Sequence, residues 1–591
     1  MDDKFAVART LREIGLLLEL KGENRFRARA YETGARALEE LREEIPTLLA
    51  EHRLTALPGI GPALASVISE LATTGRCSQL DRLRQEVPRG ALELAELPGL
   101  NLKKIQQLAA GLGIDSVASL KTACDTGRLT EVKGFGPKTQ QKLLDNIARR
   151  ERRDERVVLV DALAETEPLA AYLRSHAAVH RLERAGALRR WAETVTDAEL
   201  VAASPEPETV IEHLLAYPKV VRTVSRRPGA VTVRLSSGLF VALHVVAPSE
   251  LAAALWRLTG SPEHVARLEA LAAMRGVDLD ATLELAPADE PKGEPEGESK
   301  GESKGGSKDD VEAVERSLYA RLGLSYIAPE LREDHGEIQA AADGSLPQDL
   351  VTLADIRGMT HCHTVYSDGK HTVEEMARAA EAMGMQYLTI TDHSPSAHYA
   401  GGVQLDRLKR QWDEIARVQE RVKIRLLRGT ESDILADGAL DYPDSILEKL
   451  DVIIASIHSR MKMDEDAMTR RLVSAMRLPF FKIWGHALGR LLLRREPFAC
   501  RVEEVLDAVA ESRAAIEING DPHRLDLAPE WTRRARARGI RFVISTDAHS
   551  IHGLCNLRYG VHAARRGWLR RGEVLNTLAA AEFAAVVKPT G

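Results

Sequence analysis

At 591 residues the chain is too long for one core, and length alone suggests roughly three to five domains. Hydrophobic residues make up 44% and charged residues 28%, an ordinary globular balance, while a formal net charge of −6 means that any DNA binding must come from local basic patches. The opening MDDKFAVART lacks a signal-peptide layout, no apolar run suits a bilayer, and five widely spaced cysteines offer neither a disulfide framework nor a thiolate zinc site, which together predict a cytoplasmic protein away from membranes.

Residues 1–155 read as short helices punctuated by glycine turns. LPGIGPALASVI (57–68), LPGLNLKKIQQL (97–108) and VKGFGPKTQQKLL (132–144) each carry an apolar residue, a tight glycine turn and a helix start. The turns place Gly59 and Gly61, Gly99, and Gly134, Gly136 and Lys138 where backbone N–H groups can hold a phosphate without reading a base. One such turn is usually only a turn, but three followed by Arg149, Arg150, Arg152 and Arg153 favour sequence-independent binding to the DNA backbone. Asn101 stands where the middle copy would have its second glycine. The three copies resemble helix-hairpin-helix motifs.

Residues 156–286 change texture, with β-rich runs such as AVTVRL (230–235) and LFVALHVV (239–246) among helical stretches, which predicts an α+β region. The Gly-, Glu-, Lys- and Ser-rich run 287–310 predicts a solvated tether dividing a front part from a back part. A helical connector, 311–354, follows it. From 355 to 591 strand-like runs alternate with amphipathic helices, which predicts a parallel α/β fold, open or closed into a barrel.

The residue after each run carries the chemistry. THCHT supplies His361 and His363 with Asp368 close behind; YLTIT ends in Asp392 and His393; IRLLRG leads to Glu431, LDVIIAS to His458, FFKIWG to His486, and IRFVIST to Asp547 and His549. In a parallel barrel the loops at the carboxyl ends of all strands converge on one face. Imidazole and carboxylate donors without thiolate suit Zn, Mn or Fe, and so many donors suit two or three ions. Cys362, between two histidines of an extended strand, should point away from them.

GMTHCHTVYSDG, ITDHS, GTESDIL, ASIHS, WGHALGRLL and STDAHS resemble the motifs of the polymerase-and-histidinol-phosphatase (PHP) domain. The resemblance implies a distorted (β/α)7 TIM-like barrel with a Mn2+ or Zn2+ site of two or three ions. Its ligands would be His361, His363, Asp368, His393, Glu431, His458, His486, Asp547 and His549, with catalysis resting on Asp547, His549, Glu431 and His458. MTHCHT replaces the family's DLHMHT but keeps both histidines.

With GALRRWAETVTDAELV (186–201), GLFVALHVV (238–246) and LTGSPEH (258–264), nearly the whole chain resembles a bacterial family X DNA polymerase. The resemblance implies a nucleotidyltransferase palm in which a Gly-Ser pair holds nucleotide phosphates and three aspartates bind Mg2+. Here the serine position is Ala187, the D-x-D pair reads Asp197, Ala198, Glu199, the third aspartate is Ala242, and the expected aromatic pair is Arg257 and Leu258. Losing one metal carboxylate costs ~10³-fold or more in rate, so synthesis should be feeble, with Mg2+ at most a residual cofactor there. Arg189 and Arg190 should then be free to touch phosphate.

The reading favoured is a monomeric DNA-repair nuclease that grips gapped, nicked or 3′-ended duplex by its backbone and trims 3′ ends at the barrel. A gap-filling polymerase with an associated exonuclease and an idle DNA-binding scaffold are the alternatives. Arg565, Arg566, Arg570 and Arg571 are expected to line a solvated helix face, with guidance of a strand to the barrel mouth as the other reading.

Overall fold

The computed structural model describes the chain apart from residues 1–3, 22–24, 41–44, 51–52, 58, 75, 87–89, 96, 98–99, 101, 133, 155, 284–307 and 591. It divides into two compact units, Met1–Glu155 and Arg156–Gly591. No helix of the described residues is long and apolar enough to cross a membrane.

The first unit is all helical around one core that includes Leu11, Ile14, Ile68, Leu108 and Ile147. Its glycine turns follow one design. Ile60 N–H donates to Leu57 at 3.1 Å and Phe135 N–H to Val132 at 3.0 Å, and both side chains are buried. The buried residue pins the turn, the glycine before it takes the left-handed conformation (Gly59 φ +83°, Gly134 φ +96°), and helices Pro62–Thr74 and Pro137–Asp154 start one residue beyond the second glycine. Lys138 is exposed in the first turn of the second of these helices. Leu100 N–H donates to Leu97 at 3.2 Å in the middle copy, whose Gly99 and Asn101 lie outside the described residues, as do the side chains of Arg149, Arg150, Arg152 and Arg153.

The second unit begins with an α+β layer. Strands β1 (Arg181–Arg184), β2 (Asp197–Ala203), β3 (Val220–Arg227), β4 (Ala230–Leu235) and β5 (Phe240–Val246) form a sheet in the order β1-β2-β5-β4-β3, with β2 and β5 parallel and the other pairs antiparallel. Helices Leu251–Thr259, Pro262–Arg275, Leu279–Leu283 and Lys308–Arg321 then build a further core from Trp256, Leu268, Leu283, Leu318 and Tyr319. The expected tether therefore does not separate a front half from a back half. Residues on both sides of 284–307 pack together, and Arg321 donates to Thr282 Oγ1 at 2.8 Å. The apolar stripe of the expected connector is completed by the helices before the tether, which composition alone does not reveal.

Strands β6 (Gly358–Met359), β7 (Tyr387–Ile390), β8 (Arg425–Asp433), β9 (Val452–Ser456), β10 (Lys482–Trp484), β11 (Ala514–Asn519) and β12 (Arg541–Ser545) pair in chain order, all parallel. Beyond β6 and β12 a bridge between Cys362 and Ala548 joins the first strand to the last, giving the expected seven-stranded barrel. Strand β9 is buried on both faces, as helix-covered parallel strands are.

Four of the arginines that the sequence left free, Arg189, Arg190, Arg565 and Arg566, are struts. Arg189 pairs with Glu315 at 2.7 Å and donates to Thr259 Oγ1 at 2.9 Å; Arg190 donates to the Thr259 carbonyl at 2.6 Å and lies 3.3 Å from Glu333. Arg565 pairs with Glu330 and Arg566 with Glu333, both at 2.7 Å, while Arg570 and Arg571 face Asp349 and Asp355. A free phosphate hand at 189–190 does not fit this arrangement, nor does a solvated face at Arg565 and Arg566, whereas Arg571 is exposed as expected and Arg570 half-buried. His562 stacks on Trp191 at 3.7 Å and Arg490 binds Glu193 at 2.7 Å, so barrel and α+β layer are joined through several such contacts.

Candidate metal centre

The carboxyl ends of the barrel strands and the loops after them gather all nine sequence-identified donors, Glu431 from within β8 itself. Three sets of side chains bring donor atoms within 4.8 Å of one another: His363, Asp368, His393 and His549; His361, His363 and Asp547; and His393, Glu431 and His458. His486 completes the group, its Nε2 2.8 Å from Glu431 Oε1 and 3.2 Å from His458 Nε2. Glu431 is the hub, with its second oxygen 2.9 Å from His393 Nδ1 and 3.5 Å from His361 Nε2. Asp547 Oδ1 stands 3.2 Å from His363 Nε2 and 3.5 Å from His361 Nε2. Both His486 and Asp547 hold positive φ, +24° and +49°, a conformation that turns their side chains into the pocket at a cost in backbone strain.

The donors fit divalent ions on two counts. His361 Nε2, His363 Nε2, His393 Nδ1 and Glu431 Oε2 are buried beside one another yet make no hydrogen bond of acceptable geometry among the described residues, a state that a bound ion would resolve. The electrostatics are also those of a cation site. Burial pushes His363 down to about 3, helped by His549 and His393, which leaves its lone pair unprotonated. Burial works against protonation of His393, His458 and His549 too, yet Glu431, Asp368 and Asp547 push these up to about 10, about 9 and about 9. The acids thus favour positive charge, which bound divalent cations could supply in place of protons.

Three further groups organise the donors. Glu517 accepts from His361 Nδ1 at 2.6 Å, Ser545 Oγ at 2.5 Å and the His486 N–H at 2.5 Å. This fixes the His361 tautomer that aims Nε2 at the cluster. Asp433 does the same for His458 Nδ1 at 2.5 Å. Asp392 accepts from Thr364 and Ser367 and so ties down the loop carrying Asp368, but ligates with none of the three sets. Sequence reasoning missed Glu517 and Asp433 as partners. The signal for Glu517 was a lone acid inside the apolar strand AAIEIN, and for Asp433 an acid two residues beyond Glu431 on the same strand face. Cys362 Sγ donates to the Thr389 carbonyl at 3.2 Å, away from the cluster as expected.

A second cleft, of about 690 Å³, lies in the α+β layer and is lined by Ala187, Arg190, Asp197, Glu199, Arg257 and Leu258, among others. Its register places Glu199 directly beside Ala242 on the parallel neighbouring strand. Gly186, at φ +53°, approaches so closely that a Cβ there would stand 1.8 Å from the Glu199 carboxylate. Burial pushes Glu199 up to about 7, with Arg190 opposing and Asp197 adding. With Ala242 beside Glu199, this cleft lacks the histidine-rich donor set of the barrel.

Comparison with known proteins gives four family matches: a helix-hairpin-helix domain over residues 2–77, a SAM-like helix-hairpin-helix tandem over 91–149, a DNA polymerase beta thumb over 254–333 and a PHP domain over 360–521. The thumb match runs across 284–307, in agreement with the core shared by both sides of that segment. The chain is 34% identical over 589 residues to the DNA polymerase/3′-5′ exonuclease PolX of Bacillus subtilis (strain 168), covering 99% of each chain. A probable phosphatase of Caldanaerobacter subterraneus subsp. tengcongensis is 30% identical over 208 residues, 32% of this chain and 75% of that one. One from Thermoanaerobacter sp. (strain X514) is 27% identical over 239 residues, 37% and 89% of the two chains.

Proposed function

Because the chain belongs to the family X DNA polymerases that carry a C-terminal PHP domain, we propose that its main activity is metal-dependent 3′-5′ removal of nucleotides from DNA ends at the barrel site, with the palm acting as a DNA-holding scaffold. The observation that carries this reading is the contrast between the two clefts: nine converging donors in the barrel against Ala242 beside Glu199 in the palm.

Two or three Mn2+ or Zn2+ ions held by the nine donors would supply an activated water and charge stabilisation for in-line displacement at phosphorus. The protein's own contribution is placement. Glu517 and Asp433 hold His361 and His458 in ligating tautomers, and Glu431 sits where it can serve more than one ion. Asp547, His549, Glu431 and His458 are the residues on which the reaction rests. Glycine turns at 59–61, 99 and 134–136, with Lys138, would take the duplex by its phosphates, so the substrate is gapped, nicked or 3′-ended DNA of any sequence. The protein acts as a monomer in the cytoplasm.

A gap-filling polymerase is the second reading, favoured by the name of the Bacillus relative. In the palm Ala242 and Ala187 stand against it, and Mg2+ there would support little extension. An assay with Mn2+ on gapped DNA, with and without dNTPs, separates the two: strand shortening that vanishes in Asp547→Ala, with little extension, is expected. Robust extension would overturn the scaffold role of the palm, and shortening that survives Asp547→Ala would place the nuclease elsewhere.

A further inference from the structure

Arg190 lines the palm cleft, but its neighbour Arg189 lines another, of about 540 Å³, that shares no lining residue with the palm cleft or the metal centre. Three parts of the fold close it: strand β1 with the helix that ends at Arg174, the segment 311–330, and the barrel helix Leu557–Arg566. Six arginines border it, Arg174, Arg181, Arg184, Arg189, Arg558 and Arg565, against three acids, Glu183, Glu312 and Glu330.

The acids are already engaged. Glu183 accepts from Arg181 at 2.8 Å, Glu330 from Arg565 at 2.7 Å, and Glu312 from Arg316, outside the cleft, at 2.6 Å. Arg189 and Arg184 turn to Glu315 and Glu167, which do not line it. Among the described residues no carboxylate pairs with Arg174 or Arg558. Arg174 donates to the Leu182 carbonyl at 3.2 Å and Arg558 to Tyr559 Oη at 3.1 Å, and both are exposed. A lone solvated arginine is ordinary. These two come from the α+β layer and from the barrel, yet they open on one cleft whose charge is in positive surplus, in a chain of net charge −6.

The remaining wall is apolar and aromatic. Leu255 and Val561 are buried there, and the rings of Trp191 and Tyr326 are half-buried. Trp191, stacked on His562 at 3.7 Å, is held in place even at φ +53°, a costly conformation for a bulky residue. Arginine forks beside flat apolar surface, in a volume suited to a small ligand, fit a heterocycle that carries phosphates. A cleft of this size does not admit a duplex, and a single phosphate leaves most of the surplus charge unmatched. We propose that this junction binds a nucleoside di- or triphosphate, with Arg174 and Arg558 on the phosphates and the base against Trp191. The inference is independent of the nuclease reading, since the site touches neither the nine donors nor the palm cleft.

Calorimetry with ATP on the Mn2+-loaded full-length protein, freed of excess metal, tests it. Removing a charged hydrogen-bond donor costs about 10- to 100-fold in affinity, so Arg174→Gln and Arg558→Gln should each weaken ATP binding by that factor and the double variant should abolish it. Both arginines are exposed, so these proteins should melt like wild type and shorten DNA normally without ATP. Arg257→Ala, in the palm cleft, should keep the site; ATP binding lost there and retained in the Arg174→Gln, Arg558→Gln protein would overturn the assignment. Inorganic triphosphate carries the charge without the ring and should bind at least about 10-fold more weakly than ATP; equal affinity would overturn the nucleotide assignment. On illumination, 8-azido-ATP should label the peptide that contains Trp191 in wild type and not in the double variant, and labelling confined to other peptides would place the ligand elsewhere. Absence of saturable ATP binding would overturn the proposal outright.

Discussion

Restoring the missing palm acid by Ala242→Asp tests whether that position is what the polymerase site lacks. Glu199 and residue 242 are paired neighbours on parallel strands, and adjacent strands lie about 4.8 Å apart. Two carboxylates about 5 Å apart repel by about 3 kcal/mol at an effective dielectric near 20. Glu199 already titrates at about 7 through burial, so the added acid should leave the pair sharing a proton at neutral pH and destabilise the metal-free protein by about 2–3 kcal/mol. Mg2+ reverses the sign, because an ion that binds only the folded pair stabilises it by about 2.7 kcal/mol at a hundred times its dissociation constant. Thermal unfolding with and without Mg2+, in an Asp547→Ala background to blunt the barrel site, reads both effects. The double variant should melt below its parent without Mg2+ and recover with it. Extension of a gapped primer should rise above background but stay weak while Ala187 and Leu258 remain. A double variant whose melting ignores Mg2+ would refute the reasoning, and so would a parent that already extends robustly.

Other outcomes follow from the same geometry. Glu517→Gln should weaken Mn2+ binding by about 10- to 100-fold with the fold intact, since a neutral amide replaces the carboxylate that accepts from His361 Nδ1; unchanged affinity in calorimetry would show that a neutral acceptor there serves as well. Burial pushes the Glu315 carboxyl up, but Arg332 and Arg189 outweigh it and hold the group at about 2, against an ordinary 4.5. Its folded value lies below its unfolded one, so its contribution of about 3 kcal/mol is complete above pH 4.5 and fades as pH falls towards 2. Acid unfolding should therefore lose much of its pH dependence in that window in Glu315→Gln. Gly134→Ala should cost about 1–2 kcal/mol of stability because of its φ of +96°. A Cβ on Gly136 meets nothing within 4 Å, so Gly136→Ala should melt like wild type yet bind duplex DNA more weakly if phosphate approaches that backbone. Equal DNA affinity would remove the turn from the interface.

The barrel site was legible because its signal is local: a donor at the end of each strand, and strands recognisable by their apolar runs. Once the fold is parallel, topology brings together His361 and Asp547 from nearly two hundred residues apart. The arginines were misread for the opposite reason. Arg190 and Arg566 both meet Glu333, 143 and 233 residues away in the sequence, and nothing near either arginine announces that partner. A run of basic residues looks the same whether it faces water, phosphate or a distant acid. Glu517 and Asp433 fall between these cases, since each sits on a strand beside ligating positions but acts through a histidine from another strand. The glycine turns read correctly as backbone geometry, because the buried Ile60 and Phe135 that pin them lie within the motif itself.

The polar run around 284–307 leaves Leu283 and returns at Lys308 into one hydrophobic core. It is therefore an insertion in a folded subdomain and not a leash between two of them. Closing a longer loop on fixed ends costs only about 0.6 kcal/mol per doubling of its length. The distance between palm and barrel is accordingly set by the packed elements on either side of this stretch and not by how many residues it contains.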